Sequence, residues 1–331
     1  VLMSATLNAS LFSGYLGGSP IIFAPGRSFP VETVHLEHIY DMLDYVLDPE
    51  NCSCRRPNGK TEDAMKAIKA GGGGDRRRRN ELLASWGEDA ASEFGGEENT
   101  ENPDYHPDKY VDCKRNTRLS LSRLDESVID YDLIEELLAF VDDTTEQGAI
   151  LVFLPGVGEV TGLLDRLASS PRFRDAMLAP LHSALTNAEQ REAFRVPRDG
   201  IRKIVVATNV AETSVTIEDI VVVIDSGRVK ERQWDPRRGM ASLEEGWVSR
   251  AAAKQRAGRA GRVRAGTCYA LFTSHRATGI MRPFQVPEMH RAPLTEVVLQ
   301  IANLDLHNDA SVVLGSAPEP PKEEAIVAAA K

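Results

Sequence analysis

Apolar positions recur with two different periods along this chain of 331 residues. Three runs are apolar almost throughout: Ala149-Ile150-Leu151-Val152-Phe153-Leu154, Ile204-Val205-Val206-Ala207 and Ile220-Val221-Val222-Val223-Ile224. Each has strand length and is rich in branched side chains, which predicts buried strands. Residues 179–181 add a shorter run, and helical spacing is found over 129–140, 159–167 and 188–194. Strands that are apolar on both faces and alternate with helices predict an α/β fold, a parallel sheet covered by helices on both sides. Residues 31–36 alternate and enter as a further strand. Upstream, 1–6 has a buried-strand pattern, 8–15 an amphipathic helical one, and Ile21-Ile22-Phe23 leads to a Pro25-Gly26 turn.

The pattern dissolves over 48–123. A glycine run at 71–74, an arginine run at 76–79 and acidic patches over 88–101 leave few apolar residues, so a disordered insertion is expected there. The arginine run is either a solvated or localisation-related tract or an RNA contact. No stretch approaches the roughly 20 apolar residues that a bilayer requires, so no membrane partner is expected. The chain opens on Val1 without an initiator methionine or a signal peptide, the expectation being a piece of a longer protein. Cys52, Cys54, Cys113 and Cys268 lack the paired spacing and histidines of a zinc site, and are expected as ordinary thiols with no metal. The net charge of −10 excludes a generally basic coat, so any nucleic acid must follow a local track.

Such local charge is concentrated in Lys254-Gln255-Arg256-Ala257-Gly258-Arg259-Ala260-Gly261-Arg262, after the alanine run 251–253. Read as one continuous helix capped by Ser249, it places Gln255, Arg259 and Arg262 at i, i+4 and i+7, on a single face suited to a polyphosphate. Gln255–Arg262 resembles the QRxGRxGR signature, motif VI, of superfamily 2 helicases in the form used by the DEAH/RHA group. Ala207-Thr208-Asn209-Val210-Ala211-Glu212-Thr213-Ser214-Val215-Thr216-Ile217 resembles that group's motif V, and Ser4-Ala5-Thr6 its motif III. The three occur in the family's order.

The resemblance implies a RecA-like fold in three parts. Residues 1–30 end a first RecA-like domain, 31–274 form the second with the insertion 48–123, and 275–331 begin a winged-helix region. It implies an ATP-dependent RNA helicase that moves 3′ to 5′, with ATP or another NTP and Mg²⁺ as cofactors. No Gly-x-x-x-x-Gly-Lys-Ser/Thr and no Asp-Glu-x-His occurs in the sequence, so the phosphate cradle and the Mg²⁺ site are assigned to an N-terminal half outside it.

By the same resemblance, Arg259 and Arg262 stabilise the transferring phosphoryl group, and Gln255 positions water or senses the γ-phosphate. Phe194 stacks on the base, with a core phenylalanine as the other reading. Ser214 and Thr216 lie near phosphates and ribose, and Glu218 stands where relatives carry an aspartate against the ribose. His182, Ser183, Thr208 and Asn209 contact RNA, His182 being equally readable as a structural histidine. Ser4 and Thr6 either couple nucleotide state to domain closure or cap the next helix. Residues 227–248 match a β-hairpin near the 5′ end of bound RNA. The implied partners are RNA, largely independent of sequence, and ribonucleoprotein or activator proteins, in cytoplasm or nucleus. A helicase-like scaffold without catalysis is the alternative.

Overall fold

The continuous apolar runs become the interior of a parallel sheet. The computed structural model describes residues 2, 8–24, 29–55, 101–213, 216–235, 240–304 and 309–330. In chain order the elements are α1 (Ala9–Tyr15), β1 (Val31–His35), α2 (Leu36–Leu43), α3 (Arg115–Arg123), α4 (Tyr131–Thr144), β2 (Ala149–Phe153), α5 (Val157–Ser169), β3 (Met177–Leu181), α6 (Asn187–Glu192), β4 (Lys203–Ala207), α7 (Val210–Thr213), β5 (Ile220–Asp225), β6 (Arg228–Asp235), β7 (Met240–Trp247), α8 (Arg250–Ala257), β8 (Gly266–Ala270), α9 (Thr295–Asn303), α10 (Ala310–Gly315) and α11 (Glu323–Ala329).

Two compact units are present, Val1–Leu36 with Val141–Lys331, and Glu37–Phe140. The first contains a six-stranded sheet in the order β1-β8-β5-β2-β4-β3, every neighbouring pair parallel. Strands β2, β4 and β5 are buried along their whole length, as uninterrupted apolar runs covered on both faces require. Leu151 stands beside Val205 on one side and Val223 on the other. Each such buried side chain contributes roughly 1.5–3 kcal/mol relative to exposure. This is the parallel α/β sheet that the pattern predicts and the RecA-like architecture that the resemblance implies. Helices α9 to α11 gather around Leu294, Ile301, Leu314 and Ile326. Among the described residues no helix is long and apolar enough to cross a membrane.

Helix α1 is capped by Asn8, whose Oδ1 accepts from Leu11 N at 3.3 Å. Ser4 and Thr6 lie outside the described residues, so their coupling role has no structural counterpart here. Ile21-Ile22-Phe23 form no strand and are exposed.

The second unit corrects the expectation of disorder over 48–123 at both flanks of that stretch. Residues 101–123 fold around α3, Cys54 bridges to Leu124, and Ser120 Oγ accepts from Leu47 N at 3.0 Å. Polar side chains hold these flanks together where apolar residues are scarce, a device that hydrophobic spacing does not reveal. Residues 56–100, including the glycine and arginine runs, lie outside the described residues.

The hub of this unit is the buried carboxylate of Asp130. It accepts from Tyr45 Oη at 2.8 Å, Asn51 Nδ2 at 2.9 Å, and the backbone N–H groups of Asp132 and Leu133 at 3.1 Å each. Burial pushes its pKa above the ordinary 3.8, and the hydrogen bonds offset this only in part. The folded unit therefore holds the Asp130 proton more tightly than the unfolded chain does. That contribution to stability is fully present below the ordinary value and is lost as pH rises through the raised one. Urea unfolding between about pH 7 and about pH 4 is expected to show wild type gaining stability on acidification relative to Asp130→Asn, whose side chain does not titrate. Parallel profiles for the two proteins would remove Asp130 as the source.

Candidate functional site

A parallel sheet has two chemically different ends, and the candidate residues divide between them. At the carboxyl ends, backbone bonds lace neighbouring strands: Thr208 N donates to Leu181 O at 3.1 Å, Leu154 N to Ala207 O at 2.8 Å, and Ser226 N to Phe153 O at 3.2 Å. The first of these brings His182 and Ser183, after β3, beside Thr208 and Asn209, after β4. Ser183 and Asn209 are exposed, whereas Thr208 and His182 are buried. His182 Nδ1 makes no hydrogen bond, so this is neither a solvent-facing nor a fully satisfied histidine.

At the amino ends stand Phe194, Glu218 and the arginine turn. Lys203, the first residue of β4, is buried and donates from Nζ to Asp219 Oδ1 at 2.8 Å and to Arg195 O at 3.0 Å. One ammonium thereby ties the residue after Phe194 to the residue after Glu218. Phe194 is 38% exposed; the core residue of that turn is Ala193. Thr216 and Glu218 are exposed, and Ser214 lies outside the described residues.

The continuous helical face expected for Gln255, Arg259 and Arg262 is not formed. Helix α8, capped by Ser249 Oγ at 3.1 Å from Ala252 N, ends at Ala257, and the chain turns at Gly258. The reason is packing beyond the break. Phe29 N donates to Gly261 O at 2.9 Å, and a Cβ on Gly261 would lie 2.6 Å from Phe29 O and 2.7 Å from Val31 Cγ2. Arg259 and Arg262 thus sit in a turn fastened to the entry of β1. Gln255 is half-buried on α8, Arg259 is buried and donates to Glu212 O, and Arg262 is exposed.

Between the two ends lies a group that family roles did not single out. The guanidinium of Arg256 is 0% exposed. Its Nε donates to Glu212 Oε2 at 3.1 Å, and its Nη1 to Asp225 Oδ1 at 2.8 Å and Arg228 O at 3.3 Å. Its Cζ stands 4.9 Å from the centre of the Phe153 ring. A long basic side chain among alanines and glycines gave no sign of facing inward; the only hint was that Asp225 ends an otherwise apolar strand.

Burial opposes charge on Arg256, Glu212 and Arg259. For Arg256 the two carboxylates outweigh burial and raise its pKa. For Glu212 burial outweighs Arg256, and the carboxyl titrates above the usual range. The difference follows from one guanidinium being divided between two acids. Arg259 is lowered, first by burial and then by the neighbouring Arg262 charge. Two like charges at this turn make an anion favourable there. Among the described residues no group of His, Cys, Asp or Glu is arranged to hold a metal ion, so no metal ligand is assigned.

This sheet with its arginine turn is that of the helicase conserved C-terminal domain, which residues 130–264 match. The chain is 45% identical over 329 residues to the DExH-box ATP-dependent RNA helicase DExH4, chloroplastic, of Arabidopsis thaliana, covering 98% of this chain and 22% of that one. It is 38% identical to the ATP-dependent RNA helicase dhx29 of Xenopus laevis, covering 98% and 23%. It superposes on the E. coli DExH-box NTPase HrpB with a TM-score of 0.62 at 25% identity, covering 99% of this chain and 29% of the other. Residues 130–264 are thus a helicase conserved C-terminal domain, and the chain as a whole is similar to a part of the DExH/DEAH-type superfamily 2 helicases. It spans between a fifth and a third of the length of these relatives.

Removing the buried Arg256 strands two acids. Arg256→Met is expected to cost about 3–5 kcal/mol in chemical denaturation. Arg256→Lys should also destabilise, because one ammonium cannot reproduce the planar fork. The exposed Arg262→Ala should stay within about 0.5 kcal/mol of wild type. Equal stability of Arg256→Met and Arg262→Ala would refute the buried junction.

Proposed function

We propose that this chain provides the arginine-bearing face and part of the RNA track of an ATP-dependent RNA helicase, coupling NTP hydrolysis to 3′-to-5′ movement along RNA. The observation that carries the reading is the turn holding Arg259 and Arg262, two mutually repelling guanidinia at the amino end of the sheet. A γ-phosphate would relieve that repulsion, and charge developing on it during transfer would relieve it further, which favours the transition state over the ground state.

In this reading Gln255 orients the attacking water or senses the γ-phosphate, and Phe194 offers an exposed ring for a base. Thr216 serves phosphates and ribose, a role Ser214 shares, and Glu218 serves the ribose. Mg²⁺ accompanies the nucleotide and supplies charge neutralisation; its ligands and the phosphate-binding loop come from another domain. Ser183, Asn209 and Thr208, with His182 behind them, grip the RNA backbone through short polar groups that do not read bases. Helix α7 supports the coupling of the two ends, since it follows Asn209 directly and its last turn meets both Arg256 and Arg259.

RNA-stimulated ATP hydrolysis by the full-length protein tests this. Arg259→Ala and Arg262→Ala are each expected to lower turnover by about 10³-fold or more, with RNA affinity retained. A wild type that binds RNA without hydrolysing ATP would make the protein a scaffold, and an Arg259→Ala variant impaired only in RNA affinity would remove the phosphate role.

A further inference from the structure

Strands β6 and β7 pair with each other and with no other described strand. A two-stranded ribbon is marginally stable alone, and the outer part of this one exposes Met240 (65%) and Leu243 (64%). Its direction must therefore be fixed at the root. There two guanidinia meet the indole of Trp247, with Arg228 Cζ and Arg276 Cζ each 4.5 Å from the ring centre. Both arginines are buried, and Arg228 Nε is answered by Glu245 Oε1 at 3.0 Å across the ribbon. Arg276 begins a single π-helical turn, Arg276–Ile280, a distortion that recurs at functional sites.

The stack continues inward. Trp247 meets Phe272 edge-on at 6.4 Å, and Phe272 packs against Gly227, where a Cβ would come within 2.4 Å of the ring. Gly227 has φ +69°, and its N–H donates to Asp225 Oδ1 at 2.8 Å, the oxygen that also accepts from Arg256. Arg256 in turn donates to Arg228 O. The ribbon root and the helix leading into the arginine turn thus share one hydrogen-bonded junction. A second strap joins Lys230 Nζ to Glu159 Oε1, on the first turn of α5, at 2.6 Å.

We propose that Trp247, clasped by Arg228 and Arg276, is a positioning residue that makes the β6–β7 ribbon a rigid arm on the Asp225–Arg256 junction. Displacement of the arginine turn during nucleotide turnover then reaches nucleic acid lying against the ribbon. This rests on the helicase reading above. Cation–π contact suits the task, because two buried guanidinia held against one ring resist tilting of the ribbon while leaving the nucleotide-facing groups untouched.

The test measures RNA-stimulated ATP hydrolysis, RNA affinity and base pairs opened per ATP on the full-length protein, as wild type, Trp247→Ala, Trp247→Phe and Arg276→Lys. Trp247→Ala and Arg276→Lys are expected to keep hydrolysis and affinity within about 3-fold, while base pairs opened per ATP fall by about 10-fold or more. Trp247→Phe, which keeps a ring face, should recover most of the loss. Unchanged opening per ATP in Trp247→Ala overturns the proposal, and so does an equal fall of hydrolysis and opening in all three variants, which would mark a merely structural residue. A wild type that does not hydrolyse ATP overturns the helicase reading and this proposal together, and is recognised before any variant is compared.

Discussion

A guanidinium with no solvent contact is tolerated only while its charge is answered on the spot, and Arg256 imposes that condition on three parts of this unit at once. Glu212 brings helix α7, Asp225 the end of the central strand β5, and the Arg228 carbonyl the root of the ribbon. None of the three can shift alone without leaving a buried charge or donor uncompensated, a penalty larger than most single packing contacts provide. The junction is thus better understood as a constraint on geometry than as a source of stability. Isolated buried ion pairs seldom gain more than an apolar core would, but they permit few arrangements.

That constraint links the two ends of the sheet. Residues after β3 and β4 face one way, and the arginine turn and the Phe194 and Glu218 loops face the other. The path between them is short: Thr208 and Asn209, then the single turn of α7, then Glu212 against Arg256 and Arg259. A parallel sheet whose interior strands are buried on both faces is stiff, and displacement of α7 against it must pass to whatever α7 touches. The overall charge of −10 is no obstacle to anion binding at this turn, since screening confines exposed charges to roughly 8–10 Å and the nearest groups dominate.

The sheet was legible because burial on both faces leaves a dense record in sequence: the runs at 149–154, 204–207 and 220–224 could be little else. The hairpin was expected through the family resemblance, and β6 and β7 pair there. The folded flanks of 48–123 were not, because they are held by Asn51, Ser120 and Asp130, polar side chains whose partners lie far away in sequence. The burial of Lys203 and Arg256 left no sign in the sequence on the same account. Composition gives a lysine or an arginine to the surface by default, and only a partner distant in sequence, Asp219 in one case and Glu212 with Asp225 in the other, makes the interior acceptable.

The break in α8 shows why a helical projection failed where the motif itself was informative. Residues three apart on a helix lie only about 60° from each other around the axis. Arg256 and Arg259 would therefore share a face, and a helix turning that face inward would bury both charges in one place. Ending the helix at Ala257 and turning at Gly258 removes the dependence. Arg256 can then point to its two acids, while the following turn leaves Arg259 buried against Glu212 O and carries Arg262 to the surface. The glycines serve this purpose through contact more than flexibility. Gly261 lies against the Phe29 carbonyl, where any side chain would force the turn away from β1 and carry the two arginines with it. Spacing in the motif accordingly encodes a sharp change of direction, with Arg256 held in the interior and Arg262 carried to the surface.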